Sequence, residues 1–156
     1  MNIHFYEKIW IGITIVAVVV MLIAVAFAGF GFGVQLPGAA GSIDPRTLSK
    51  TAPFDKPGVY EVTAGKYQVV MVAQMWMFKP AEIRIPAGST VTFTSTSKDV
   101  THGLYIENTD INIMILPGQI SEVTAKFPKA GTYSIICHEY CGSGHQGMAG
   151  KVIVEP

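Results

Sequence analysis

Thr132-Tyr133-Ser134-Ile135-Ile136-Cys137-His138-Glu139-Tyr140-Cys141-Gly142-Ser143-Gly144-His145-Gln146-Gly147-Met148-Ala149-Gly150-Lys151-Val152-Ile153-Val154 reads as strand, loop, strand. Thr132 to Ile136 and Lys151 to Val154 are short runs rich in β-branched and aromatic residues, which favour extended backbone when bounded by turn residues. Between them, Cys137 to Met148 holds both cysteines of the chain, two of its four histidines and a methionine. Thiolate, imidazole and thioether form a soft donor set, suited to copper, zinc or iron–sulfur rather than magnesium or calcium. A simple disulfide would need neither His145 nor Met148 at a fixed offset.

Upstream of this stretch the same punctuation continues from Val59. Tyr67 to Phe78 is a long apolar and aromatic run, Ile83 and Ile85 alternate with Glu82 and Arg84, and Val91 and Phe93 alternate with threonines across Thr90 to Ser95. Ile111 to Ile115 stops before Pro117-Gly118, and Ser121 to Phe127 stops at Pro128. No helical period appears after Asp44. Short strands with closely spaced turn signals predict a mainly β fold, a sandwich or barrel.

The N-terminal part is different in kind. Ile9 to Phe32 is uncharged over 24 residues, which as a helix would reach about 36 Å, enough to cross a hydrocarbon core with some tilt. Tyr6 and Trp10 stand at the near end, where amphipathic rings favour the headgroup level. Gly29-Phe30-Gly31-Phe32-Gly33 ends it. The run is longer than the apolar core of a secretory signal, so a retained anchor is expected. Lys8 precedes it and the first later cation is Arg46, which tilts the positive-inside rule towards a cytoplasmic N-terminus. Gly33 to Gly58, with Pro37, Pro45, Pro53 and Pro57, reads as a linker with little regular structure. The expected organisation is a transmembrane helix within 1–33, a linker over 34–58 and a β domain over 59–156. Lys+Arg and Asp+Glu balance at 11 each, so no nucleic-acid footprint exists.

Three metal readings compete for the loop. A mononuclear blue copper site would use His102, one cysteine, His145 and Met148 and leave the other cysteine idle. A zinc site would use His102, Cys137, Cys141 and His145 and leave Met148 idle. Two copper ions bridged by both thiolates, with a histidine each and the methionine and a backbone carbonyl completing the pair, leave no donor idle. His102 enters from an inter-strand turn, after Ser97-Lys98-Asp99, where Asp99 or Thr101 could orient its ring.

These motifs resemble the CuA domain of cytochrome c oxidase subunit II. The resemblance spans an N-terminal helix, a linker, Asp99-Val100-Thr101-His102-Gly103 and the Cys-x3-Cys-x3-His-x2-Met loop; the single helix is most similar to B-type (ba3-like) oxidases. It implies a cupredoxin-like sandwich or Greek-key barrel. The copper ligands it implies are His102, Cys137, Cys141, His145 and Met148, with the main-chain carbonyl of Glu139. Nitrous oxide reductase carries a similar domain beside a large second one, and related quinol oxidases lack the cysteines.

The implied role is electron input from cytochrome c or a small copper protein, onward to haem in subunit I, which holds the haems and CuB and reduces O2 with proton translocation. Implied partners are subunit I and a small additional helix subunit, in a plasma (inner) membrane with the copper domain on the outer face. Glu139 aligns with a carboxylate that reaches magnesium in A-type enzymes; here its side chain is expected to be solvated, without magnesium. Trp76 matches an aromatic region that lies near the copper site and receives electrons from the donor, or is a core aromatic on a strand. Glu7 matches a glutamate near a proton pathway of subunit I, or belongs to an interfacial anchor. His138 is expected to point away from the metal, and His4 to be a surface residue.

Overall fold

A computed structural model describes residues 3–31 and 38–156 of the chain. It falls into two compact units, an N-terminal helix and a β domain.

The helix α1, Ile3–Gly31, runs 29 residues. From Ile9 onward it is apolar on every face, and its described side chains are almost all exposed, as in a helix whose surroundings are lipid. His4–Gly31 is long and apolar enough to cross a membrane. Residues 32–37, where the sequence places the end of the helix and the start of the linker, lie outside the described residues.

The β domain has ten strands: β1 (Gly58–Thr63), β2 (Lys66–Gln74), β3 (Met77–Lys79), β4 (Glu82–Pro86), β5 (Ser89–Ser97), β6 (His102–Ile106), β7 (Asn112–Ile115), β8 (Ser121–Phe127), β9 (Gly131–Ile136) and β10 (Ala149–Glu155). One sheet has the order β1-β2-β5-β8, with β3 paired to β2, and the other the order β4-β10-β9-β6-β7. Pairs β2/β5 and β4/β10 are parallel and the rest antiparallel. The cupredoxin-like sandwich expected from the sequence is therefore the fold.

Strand alternation builds the core. Ile83 and Ile85 on β4, Val91 and Phe93 on β5, Phe127 on β8 and Val152 and Val154 on β10 turn inward and meet Leu104, Ile106, Ile115 and Ile135. Phe127 contacts Phe93 and Tyr133 at centroid distances of 6.4 and 5.2 Å, within the range of favourable aromatic pairs. On the outer side of β4 and β10, Lys151 and Arg84 flank Glu82 at 2.9 and 2.7 Å. Those partners hold the Glu82 carboxyl below its ordinary range, Lys151 most of all.

The run Tyr67 to Phe78 does not form one strand. It is β2, a two-residue turn at Met75-Trp76, and β3. No Gly, Asn or Asp marks this turn, and Trp76 takes a left-handed φ of 71°, a strain of roughly 1–3 kcal/mol that the surroundings must hold in place.

The run lacks alternation because β2 is buried on both faces. Val69, Met71 and Ala73 face the inter-sheet core, while Val70 and Val72 are covered by Leu48 and Phe54. Those two residues come from the stretch read as linker. A 3-10 turn, Pro45–Lys50, is capped by Asp44, whose carboxylate accepts from the Arg46 amide at 2.9 Å. Ser42 bridges to Gln119. The end of the expected linker thus packs as a strap across the sheet, using its few apolar side chains as anchors. Phe54→Ala is expected to cost about 3–5 kcal/mol, the usual penalty for emptying a buried phenylalanine site, measurable as a lower urea midpoint with unchanged slope.

Candidate metal centre

Strands β9 and β10 are neighbours in antiparallel register, with Ala149 opposite Ile136. Cys137 to Met148 is the loop that joins them, closed at its base by the Cys137 amide donating to the Met148 carbonyl at 3.3 Å. Strand β6 lies beside β9, with Tyr105 opposite Ile136. Continuing that register past Ile136 brings the start of β6 alongside the loop. His102 is therefore the first residue of a strand, not part of the preceding turn as the sequence suggested, because its pairing with Ile115 on β7 already belongs to the ladder.

The donors converge as a connected set. The ligand atoms of His102, Cys137 and Cys141 all lie within 4.8 Å of one another. The Cys137 sulfur is 3.9 Å from His102 Nδ1 and 3.3 Å from the Glu139 carbonyl oxygen. The Cys141 sulfur is 3.6 Å from His145 Nδ1 and 3.5 Å from the Met148 sulfur. His102, Cys137, Cys141 and Met148 are all buried, His102 completely, and both cysteines are free thiols. Burial pushes the Cys141 thiol up, opposed by the backbone N–H of Trp76 and reinforced by Cys137. Two buried thiols, two imidazole nitrogens, a thioether and a carbonyl aimed at one space fit soft-metal coordination.

Asp99 sets the orientation of His102. Its Oδ1 lies 2.9 Å from His102 Nε2, which places the proton on Nε2 and leaves the Nδ1 lone pair facing the sulfurs. The same carboxylate accepts from the amides of Met75 at 2.6 Å and Val100 at 2.7 Å. Burial alone would raise this carboxyl, but the bonds from His102, Met75 and Val100 outweigh it and hold it below its ordinary range. Asp99 is thus an ionised acceptor at neutral pH. Thr101 has no such bond to the ring.

Trp76, which the sequence could also accommodate in the core, is 51% exposed and lies over the loop. A Cβ on Gly144 would sit 2.7 Å from its indole, and one on Gly142 3.4 Å. Both glycines keep the loop free of side chains where the ring lies against it. Tyr140, 77% exposed, stands edge-on to His145 with centroids 5.9 Å apart. His138 packs its ring on Gly103, where no Cβ would fit, and its Nδ1 is 3.6 Å from the Glu139 carboxylate. It therefore turns away from the sulfurs, as expected. Glu7 is on α1, exposed, 3.6 Å from His4. The resemblance implies that Trp76 lies near the metal loop; for the contact of its ring with the loop backbone, the paired glycines flanking Ser143 are the only local trace.

Comparison with known proteins gives this geometry its context. Residues 46–154 match the Cupredoxin-like domain family. Cytochrome c oxidase subunit 2 of Thermus thermophilus is 38% identical over 120 residues, spanning 76% of this chain and 89% of that one. The chain belongs to the cytochrome c oxidase subunit 2 family. A chain in the cryo-EM structure of a heme-copper terminal oxidase dimer superposes with a TM-score of 0.75 at 35% identity, covering 96% of this chain and 99% of that chain. Nitrous-oxide reductase of Stutzerimonas stutzeri is 32% identical over 95 residues, but only 15% of its length is covered. The likeness to the Thermus subunit 2 thus spans most of both chains, whereas that to the reductase spans only a small part of the reductase.

Proposed function

We propose that this chain is the electron-input subunit of a membrane-bound haem-copper terminal oxidase. Electrons would come from cytochrome c or a small copper protein and leave to haem in subunit I, where O2 is reduced to water with proton translocation. The observation that carries this reading is the pair of buried free thiols held among two imidazoles and a thioether, in a member of the subunit 2 family.

His102, Cys137, Cys141, His145, Met148 and the Glu139 carbonyl would hold two copper ions. Such a pair, when bound, supplies a one-electron store whose charge is shared over both metals. The protein's part is to keep the donors still. Cys137 and Met148 are tied to each other at the strand ends, and Asp99 fixes the His102 ring, so little rearrangement accompanies a change of charge. Burial excludes water and favours a permanent relay over an exchangeable carrier. The two thiolates offset much of the metal charge in that apolar setting.

Trp76 and Tyr140 offer the donor exposed aromatic surface beside the loop, Trp76 being the proposed receiving residue. Helix α1 anchors the domain, with its N-terminus on the cytoplasmic side and the domain on the outer face. Glu7 would then lie near the cytoplasmic end of the anchor, suited to a proton pathway of subunit I; the haems and CuB belong to that partner.

The test is to extract the full chain from membranes and measure copper, spin and haem together. Two coppers per chain, an electron paramagnetic resonance pattern from one spin shared by two nuclei, and co-purifying haem are the expected results. One blue copper, or preference for zinc, would overturn the reading. In the same preparation, Trp76→Leu should slow haem reduction without changing the spin pattern, and Glu7→Gln should lower proton translocation per electron.

A further inference from the structure

Two exposed thioethers stand beside the loop but outside the proposed copper ligand set. Met75 and Met77 flank Trp76 at the tip of the β2–β3 hairpin, and all three are exposed, at 44%, 41% and 51% respectively for Met75, Met77 and Trp76. The tip is not free to move as a loop would. The Met75 amide is bonded to Asp99, the carboxylate that also holds His102, and the indole of Trp76 rests on Gly144. The Met75 sulfur itself lies 3.6 Å from the point a Cβ on Gly142 would occupy, next in sequence to Cys141. A soft donor thus stands at the rim of a site whose cysteines are only 5% and 3% exposed, Cys137 and Cys141 respectively.

A site buried to that degree must receive its metal through its rim. Thioether sulfur prefers copper in the cuprous state, and the face of an indole attracts a cation. From this geometry we infer that Met75, with Met77 and the Trp76 ring, forms an outer capture site for one Cu(I) ion on its way to the cysteines. The inference rests on the copper reading of the buried site. The transfer is a ligand exchange with no change of oxidation state. Bonds from Cu(I) to thioether sulfur break, bonds to the Cys141 and Cys137 sulfurs form, and the displaced thiol protons leave to solvent. Apolar surface alone would be served equally well by leucine, so thioether chemistry and mere surface character can be separated.

The experiment uses the full chain in detergent with Met75→Leu/Met77→Leu, which keeps the apolar rim and all the buried donors. In one arm, Ag(I), a soft monovalent probe, is titrated into a Cys137→Ser/Cys141→Ser chain with and without the methionine changes. One Ag(I) bound with the methionines present, and lost without them, is expected; the same binding in both chains overturns the capture site. In the second arm, limiting Cu(I) is given anaerobically to the metal-free chain and growth of thiolate–copper absorption is followed. The leucine variant should load about tenfold more slowly, the low end of what loss of a positioned group near a metal costs, and reach the same final spectrum. Equal loading rates overturn the inference. Absence of thiolate–copper absorption in the unaltered chain would overturn the copper reading instead, and the Ag(I) arm keeps the two failures apart.

Discussion

Cys141→Ser is expected to abolish the shared-spin signal, lower bound copper from two ions to at most one, and cut electron uptake by at least about 100-fold. The Cys141 sulfur is the atom that joins the two ends of the donor set. It touches His145 and Met148 directly and lies within 4.8 Å of the ligand atoms of His102 and Cys137. A serine hydroxyl is harder and stays protonated at neutral pH, so it neither bridges two soft ions nor offsets their charge. His145 and Met148 then have no sulfur partner, and the remaining Cys137, His102 and Glu139 carbonyl suffice for one ion at most. Electron paramagnetic resonance on the detergent-extracted chain, with metal analysis of the same sample, checks this. A retained two-nucleus pattern in the serine variant would show that Cys137 alone bridges the ions.

Asp99→Ala is the second large effect. One carboxylate serves His102, the tip of the β2–β3 hairpin and its own turn, so its loss acts on three elements at once. Without it, the His102 ring is free to take the other tautomer or rotate, and the Met75 amide loses its acceptor. Removal of such a partner of a metal-bound histidine costs about 10–100-fold in metal affinity or activity, and that range is expected for the rate of copper loss to a chelator. Asp99→Asn keeps an oxygen that can accept from Nε2 but loses the charge, and should fall between the native chain and alanine. If alanine and native chains release copper at equal rates, the ring is held by packing alone.

How far the sequence carries depends on whether a feature is local. Ile83/Ile85 declare β4 because one face is buried and the other wet, and Val91/Phe93 declare β5 by alternating with threonines, although Thr94 and Thr96 are themselves buried and hydrogen-bonded. Tyr67 to Phe78 conceals a hairpin, since β2 is apolar on both sides and the turn is made by Met75 and Trp76 rather than by a glycine. Cys137, Cys141, His145 and Met148 are legible as a site because twelve residues contain them. His102 is legible as a ligand through its motif, yet its position at the head of β6 depends on pairing with β7 and β9. Asp99 lies three residues before His102 and could be suspected. The contact of Trp76 with Gly144 is set by how the two sheets close, and the glycines on either side of Ser143 are its only local trace.

The strap over β2 decides where this domain can be cut for study in water. The regular strands begin at Gly58, which invites a fragment starting there. Such a fragment would uncover Val70 and Val72, 1% and 5% exposed in the whole chain, and present a bare apolar face that promotes self-association. Leu48, Phe54 and the Ser42–Gln119 bridge belong to the folding unit as much as any strand does. A soluble version that behaves as a monomer has to start no later than Ser42.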